Sequence, residues 1–388
     1  MNINKTARDM LDIITAVIKG KKINLSEMDI DWESMLKLCE YHGVTNLMAY
    51  AADSSVPKEY LAKFHQASMI ATSRTAQFDF ATEEIRNEFE KNKISYMLLK
   101  GHIMRGYYPS PEMRTMCDVD LLIKEEDDEK IQKIMAELGY TMKNEFGRDD
   151  EKSFFRPPHC SYDMHTQIVS DSHKKLKEYY GTGWRVAKKD TEYGYVMSNE
   201  DFFIFLLAHF TKHYANAGIG VRPVLDIWIF LDKFNDTLDW DYINQELDKM
   251  QMKEFCYNIF RLSKVWFDGE ASDETTDDMT RYILFSGMYG TTGNWYRAKK
   301  VQADNKLVHN VKGKLNAIFL NRRYMEQFYP KLKEKPYLLG YYWCKRIVVK
   351  LFDGSGAKYV KNQKKTNAEQ TNATEQHFNA VGLEDYLK

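Results

Sequence analysis

Two aspartates separated by one residue, Asp118-Val119-Asp120, open a short apolar run that continues through Leu121-Leu122-Ile123. Residues two apart on a strand face the same way, so both carboxylates would share one side while Val119 and Leu121 face a core. Like charges held that close are costly without a cation, and a hard divalent ion relieves the repulsion. Mg2+ (or Mn2+) suits such a pair, because it takes few carboxylates and completes its shell with water and phosphate oxygens. A second strand-like run over residues 160–169 puts Tyr162, Met164 and Thr166 on one face, and Asp163, His165 and Gln167 on the other. It brings a third carboxylate, and three acids on adjacent strands are what two-ion phosphoryl transfer demands.

Basic residues surround these acids in the sequence. The apolar run at 94–99 ends in Lys100-Gly101, where glycine admits a close phosphate and a short following helix, HIMRGYY, could aim its first amides at the same anion. Lys100 would add a point charge, and Arg114 a guanidinium fork for a triphosphate or for one of the aspartates. His165 is expected either to orient Asp163 and act near the ions or to rest as a satisfied strand-end histidine. His209 and His213 lie one helical turn apart, a spacing that can hold zinc. Phe210, however, stands where a metalloprotease needs glutamate, so they are expected to face a cleft or the core. Arg222 and Asp226, four apart, read as an ion pair fixing their helix in preference to substrate contacts.

The elements that must position these groups fall into blocks. Residues 1–90 read as a helical domain, with apolar residues at three- and four-residue spacing and Pro57 placed to start a long helix. Residues 91–198 alternate short apolar runs with EEDDEKIQKIMAELGY, a helix with acids in its first turn and Gly139 at its end, giving a mixed α/β unit. Ser198-Asn199-Glu200 reads as the cap that opens a second helical domain, residues 199–360. The last stretch, 361–388, is rich in Lys, Asn, Gln and Thr and is expected to be a flexible tail until a turn at GLEDYLK. SGMYGTTGNWYR has glycines at the wrong spacing for a nucleotide loop and reads as an interface loop.

Several of these segments together resemble one family. HGVTNLMAY, LLKGHIMRGYYPSPEMRTMCDVDLLI, YDMHTQI and HFTKHYANAGIGVRPVLDI, in that order, are similar to the motifs of the uncharacterised nucleotidyltransferase family within the DNA polymerase beta-like superfamily. The resemblance spans roughly residues 30–235. It implies an α/β (α+β) fold: a palm with a mixed sheet, flanked by N- and C-terminal helical domains, with substrate between the palm and the C-terminal helices. It further implies Asp118, Asp120 and Asp163 as metal ligands, and Lys100, Gly101, Arg114 and Lys212 as triphosphate contacts. One departure is Gly101-His102, where the superfamily has Gly-Ser and a hydroxyl on the phosphate. A longer gap before Asp118 is another, so Lys100 and Arg114 would have to grip the phosphates instead.

Composition narrows the alternatives. Lys and Arg number 55 against 56 Asp and Glu, a net charge of −1 that gives no global field for nucleic acid. Five scattered cysteines with no C-x-x-C pair argue against a disulfide framework or structural zinc. No apolar run is long enough to span a bilayer, and the first residues do not read as a signal peptide, so a cytoplasmic chain is expected. The resulting expectation is magnesium-dependent transfer of a nucleoside monophosphate from an NTP, by preference ATP, to an unidentified hydroxyl on a small molecule, protein or RNA. Two rivals stand beside it. The chain could bind nucleotide without turnover. Alternatively, residues 331–365, with ten basic and two acidic residues among tyrosines and a tryptophan, could meet RNA or a membrane surface, against the plainer reading of a docked amphipathic helix.

Overall fold

The computed structural model describes residues 5–143, 151–170, 173–302, 331–352 and 368–387, together with 322, 325 and 329. Its helical start consists of α1 (Lys5–Ile18), α2 (Trp32–His42), α3 (Thr45–Met48) and the long α4 (Lys58–Lys91). Gly43 ends α2 in the left-handed region, at φ 67°, where a side chain would be strained. Among the described residues seven strands follow: β1 (Tyr96–Leu98), β2 (Val119–Ile123), β3 (Thr141–Lys143), β4 (Glu151–Arg156), β5 (Cys160–His165), β6 (Lys188–Lys189) and β7 (Gly194–Val196). They form one mixed sheet in the order β3-β4-β5-β2-β1-β7-β6. Pairing is antiparallel for β1 with β2 and parallel for β2 with β5, with Asp120 directly beside Asp163.

The two-residue period of the strands divides the molecule into two cores. Val119, Leu121 and Ile123 on β2, with Tyr162 and Met164 on β5, pack against Phe78, Ala81, Ile85 and Phe89 of α4 and against Ile131, Ile134 and Met135 of α6 (Asp128–Glu137). The intervening residues point the other way. Met97 and Leu122 join the larger core built on α8 (Asn199–Tyr214), α9 (Val221–Phe234) and α11 (Lys253–Phe267). Its centre is aromatic, with Phe203 stacked on Phe230 and on Phe260 at 4.9 and 5.5 Å between ring centroids. Asp120, Asp163 and His165 lie on this second face but beyond the apolar cover, half-buried at its edge. Ser198 caps α8 as expected, its hydroxyl accepting from the Asp201 amide at 3.2 Å.

Two expectations need correction. The tail is not disordered throughout: Ala368–Ala380 is a helix followed by a turn, with Phe378, Val381 and Leu383 fully buried. It lies against α13 (Thr292–Val301), the Tyr214 hydroxyl and His377 Nε2 are 2.9 Å apart, and Asn258 donates to the Val381 carbonyl. Three apolar residues at the end of a polar stretch suffice to dock it, because burial rather than average composition decides. Second, Arg222 and Asp226 do not pair; each has a different partner, described below. The basic segment is helical over Leu339–Phe352, while residues 353–365 fall outside the described part. All five cysteines are free, and no described helix is long and apolar enough to cross a membrane.

Docking of the C-terminal segment makes Phe378→Ala expensive, by about 3 kcal/mol as for other fully buried phenylalanines. Urea denaturation of the full chain should show that loss; an unmoved midpoint would mean the segment is not packed.

Candidate active site

A turn, a strand pair and two helices converge on one cleft. The chain leaves β1 at Leu99 and enters the short helix α5 (Lys100–Met104) through Lys100, which takes φ 38°, a strained value for a residue with a side chain. That twist aims the Lys100 ammonium back across the sheet to Asp120 Oδ1, at 3.0 Å. Gly101 follows where space is tight: a Cβ there would lie 2.8 Å from Arg114 Nη1 and 3.2 Å from Met116 Sδ, so a larger residue would have to push those side-chain ends aside. Asp118 stands just ahead of β2, open to the cleft, and Asp120 lies one step into the strand.

The register of β2 with β5 then creates the acid cluster. Asp120, Asp163 and His165 each offer a ligand atom, all within 4.8 Å of one another. His165 Nε2 is 2.8 Å from Asp120 Oδ1, and its Nδ1 is 3.8 Å from Glu151. The histidine thus serves Asp120 rather than Asp163. Burial alone would raise the Asp120 carboxyl, but Lys100 and His165 hold it well below the usual carboxylate range. Asp163 is pushed up by burial against the pull of a Ser153 hydrogen bond, with Asp120 and Glu151 adding repulsion. Asp118 is pushed up to about 6, first by the protein crowded around it and then by the Asp120 and Asp163 charges. Solvent on its open side screens part of that repulsion. Asp120, Asp163 and His165 are the groups whose ligand atoms come together, with Asp118 beside them at the cleft edge; carboxylate oxygens suit hard divalent cations, and the raised Asp118 and Asp163 are the groups a cation would relieve.

The opposite wall comes from α8 and α9. His209 and His213 face each other at 4.4 Å between rings and both line the cleft. Burial, together with the nearby Lys100 and Lys212 charges, drives both histidines downward, His213 to about 3, so at neutral pH they are uncharged hydrogen-bonding groups. On α9, Asp226 receives the Arg114 fork, Nε and Nη2 each at 2.8 Å, and the Tyr108 hydroxyl at 2.7 Å. Arg222 instead donates to the carbonyl and hydroxyl of Thr115, at 2.7 and 2.8 Å. These bonds bolt the 105–116 loop, and through it the start of β2, onto the helical wall.

Lys100, Gly101, Arg114, Asp118, Asp120, His209, His213, Arg222 and Asp226, all singled out in the sequence, line this cleft of about 380 Å³. Asp163 and His165 adjoin it through Asp120. Lys212 is not among its wall residues, although its charge acts on His209 and His213. Sequence reasoning missed Thr115, Tyr108 and the Met288-Tyr289 pair, which form part of the clamp and the cleft rim. Only the glycines around Met288 and Tyr289 gave a signal, and it was read as an interface loop.

A family model described as uncharacterised nucleotidyltransferase matches residues 28–268. The chain belongs to that family, whose chemistry is nucleotidyl transfer. No curated protein and no solved structure matches the chain.

Removing one partner of the buried clamp should cost far more than removing both. Asp226→Asn strands the Arg114 charge and is expected to lower stability by about 3 kcal/mol in urea, while Arg114→Met with Asp226→Leu costs much less. Equal losses in the two variants would show that pairing is not what holds the loop to α9.

Proposed function

We propose that the chain moves a nucleoside monophosphate from an NTP to an acceptor hydroxyl with release of pyrophosphate, dependent on Mg2+ or Mn2+. The observation that carries this reading is the parallel register setting Asp120 beside Asp163, with Asp118 at the same cleft edge and cationic groups on both walls. In the proposal Asp118, Asp120 and Asp163 hold the divalent ions, which when bound neutralise the charge gathering on the phosphates. Asp163, with its raised affinity for protons, accepts the proton of the attacking hydroxyl. The acceptor oxygen bonds to the α-phosphorus, the bond from that phosphorus to the bridging oxygen breaks, and pyrophosphate leaves with the electron pair.

Lys100, held on Asp120 at 3.0 Å, is placed to turn to a phosphate oxygen once a cation takes its place beside the carboxylate. His209 and His213, uncharged, can donate hydrogen bonds to the triphosphate without competing for the ions. Two of the three guanidinium nitrogens of Arg114 are committed to Asp226, so its role is chiefly to fix the turn, with Nη1 remaining beside Gly101. Lys212 is assigned the far end of the triphosphate on the strength of family resemblance and its nearness to His213. ATP as donor, and a small molecule, protein or RNA as acceptor, belong to the same proposal, because the carboxylates do not select what carries the hydroxyl.

A second reading has an observation in its favour. Lys100 and His165 already engage Asp120, at 3.0 and 2.8 Å, the arrangement a nucleotide-binding module without turnover would keep. Pyrophosphate release separates the two. With Mg2+, each NTP in turn and a mixed acceptor pool, the wild type should release pyrophosphate, and Asp118→Ala with Asp120→Ala should lower the rate by at least about 10³-fold. Equal release from both proteins would remove the acids from the reaction. Nucleotide binding without release would leave the idle module standing.

A further inference from the structure

The loop joining α12 (Glu274–Ser286) to α13 carries an exposed aromatic ring on an unusually fixed mount. Gly287 and Gly290 sit at φ 65° and 72°, and neither has room for a side chain. A Cβ on Gly287 would strike the Tyr41 ring, and one on Gly290 would strike the Ala217 carbonyl. Backbone bonds pin the loop on both sides: the Met288 amide donates to Tyr41 at 2.9 Å and the Thr291 amide to Ala217 at 2.8 Å. The Met288 side chain packs into the space over Gly43, whose φ of 67° itself disfavours a side chain. On this support Tyr289 lines the cleft yet leaves 71% of its surface exposed, its hydroxyl 3.2 Å from the thiol of Cys117, the residue before Asp118. On that mount Tyr289 presents an aromatic face to the cleft beside the residue that precedes Asp118, and such a face accepts a stacked base.

The cleft also joins cationic and apolar surface. Lys100, His209 and His213, with Lys212 nearby, gather on the α8 side of the acids. Ile219, Pro223, Met288 and Tyr289 give it apolar surface around the α8–α9 connection and the 287–290 loop, as Leu206 and Phe210 do on α8, and Arg222 adds a guanidinium there, its Nη2 3.6 Å from Met288 Sδ. A nucleotide calls on both kinds of surface, cationic groups for its triphosphate and an aromatic or apolar face for its base, with the α-phosphate between.

We infer that the nucleotide lies with its triphosphate toward Lys100 and His213 and its base stacked on the ring of Tyr289. The inference rests on the nucleotidyl-transfer reading and deepens it. The α-phosphate then sits over Asp118 and Asp120, and the ribose spans the short distance from Asp118 past Cys117 to the ring. Stacking needs only a π-face, so Tyr289 fixes the nucleoside without reading the base. Residues 287–290 lie C-terminal to the part of the chain that the family model matches.

The test compares binding of α,β-methylene ATP and of inorganic tripolyphosphate, each with Mg2+, to the full chain by calorimetry. Tyr289→Ala should weaken the nucleotide roughly ten-fold or more and leave tripolyphosphate unchanged. Tyr289→Phe and Tyr289→Trp should bind the nucleotide like wild type, which separates the ring from its hydroxyl; loss in both would overturn the inference. It is also overturned if wild type binds the two ligands equally, or if Tyr289→Ala weakens both alike or neither, and in those cases the phosphate site survives. Binding of neither ligand to wild type would defeat the nucleotidyl-transfer reading itself, and this inference with it.

Discussion

Pairing β2 with β5 in parallel puts Asp120 directly beside Asp163, and the cleft is organised around that enforced neighbourhood of two carboxylates. The register cannot slip to relieve it. A one-residue shift would turn Val119, Leu121 and Ile123 out of the core shared with α4 and α6, at a cost of several buried aliphatic side chains. The fold therefore holds the acids together by hydrophobic burial on the far side of the same strands. It offsets part of the repulsion with Lys100 and His165 on Asp120, and leaves Asp118 and Asp163 with carboxyls pushed up toward neutrality. Repulsion maintained at that expense is the physical basis for a cation site.

The second dependence is the Asp226 clamp. The loop from Arg105 to Met116 carries no long element of its own, yet it determines where Gly101 and Asp118 stand relative to α8 and α9. Two guanidinium bonds, a tyrosine hydroxyl and the Arg222 bonds to Thr115 fix it. Arg114 reaches Gly101 from the opposite side, so the turn that would hold phosphate and the helix that walls the cleft are set by one residue. Changes far from the acids, at Tyr108 or Asp226, would thus be felt as misplaced chemistry.

Much of this was legible because strand alternation is a strict local code. Alternation put Asp120 opposite Val119 and Leu121, and Asp163 with His165 opposite Tyr162 and Met164, while Asp118 stands ahead of β2 and outside that alternation; the order of four motifs pointed to the family that the matched model then showed. Partners across long sequence separations were not legible. Arg222 and Asp226 satisfy the helical spacing of an ion pair, but Asp226 is taken by a residue 112 positions away, a fork geometry that no local rule anticipates. The same holds for His165, which bonds Asp120 on the neighbouring strand rather than Asp163 on its own. The C-terminal segment misled through composition, since three buried residues outweigh a polar average. The short strands β3, β6 and β7 left no recognisable pattern, because two or three residues are too few to show a period.

The most direct test of the account is where a cation goes. Crystals of the full chain grown with Mn2+ and α,β-methylene ATP, measured at the manganese absorption edge, should show anomalous density bounded by the carboxylates of Asp118, Asp120 and Asp163, with the Lys100 ammonium drawn off Asp120 onto phosphate. Bound nucleotide with no manganese among those three acids, or with Lys100 still seated on Asp120, would contradict it.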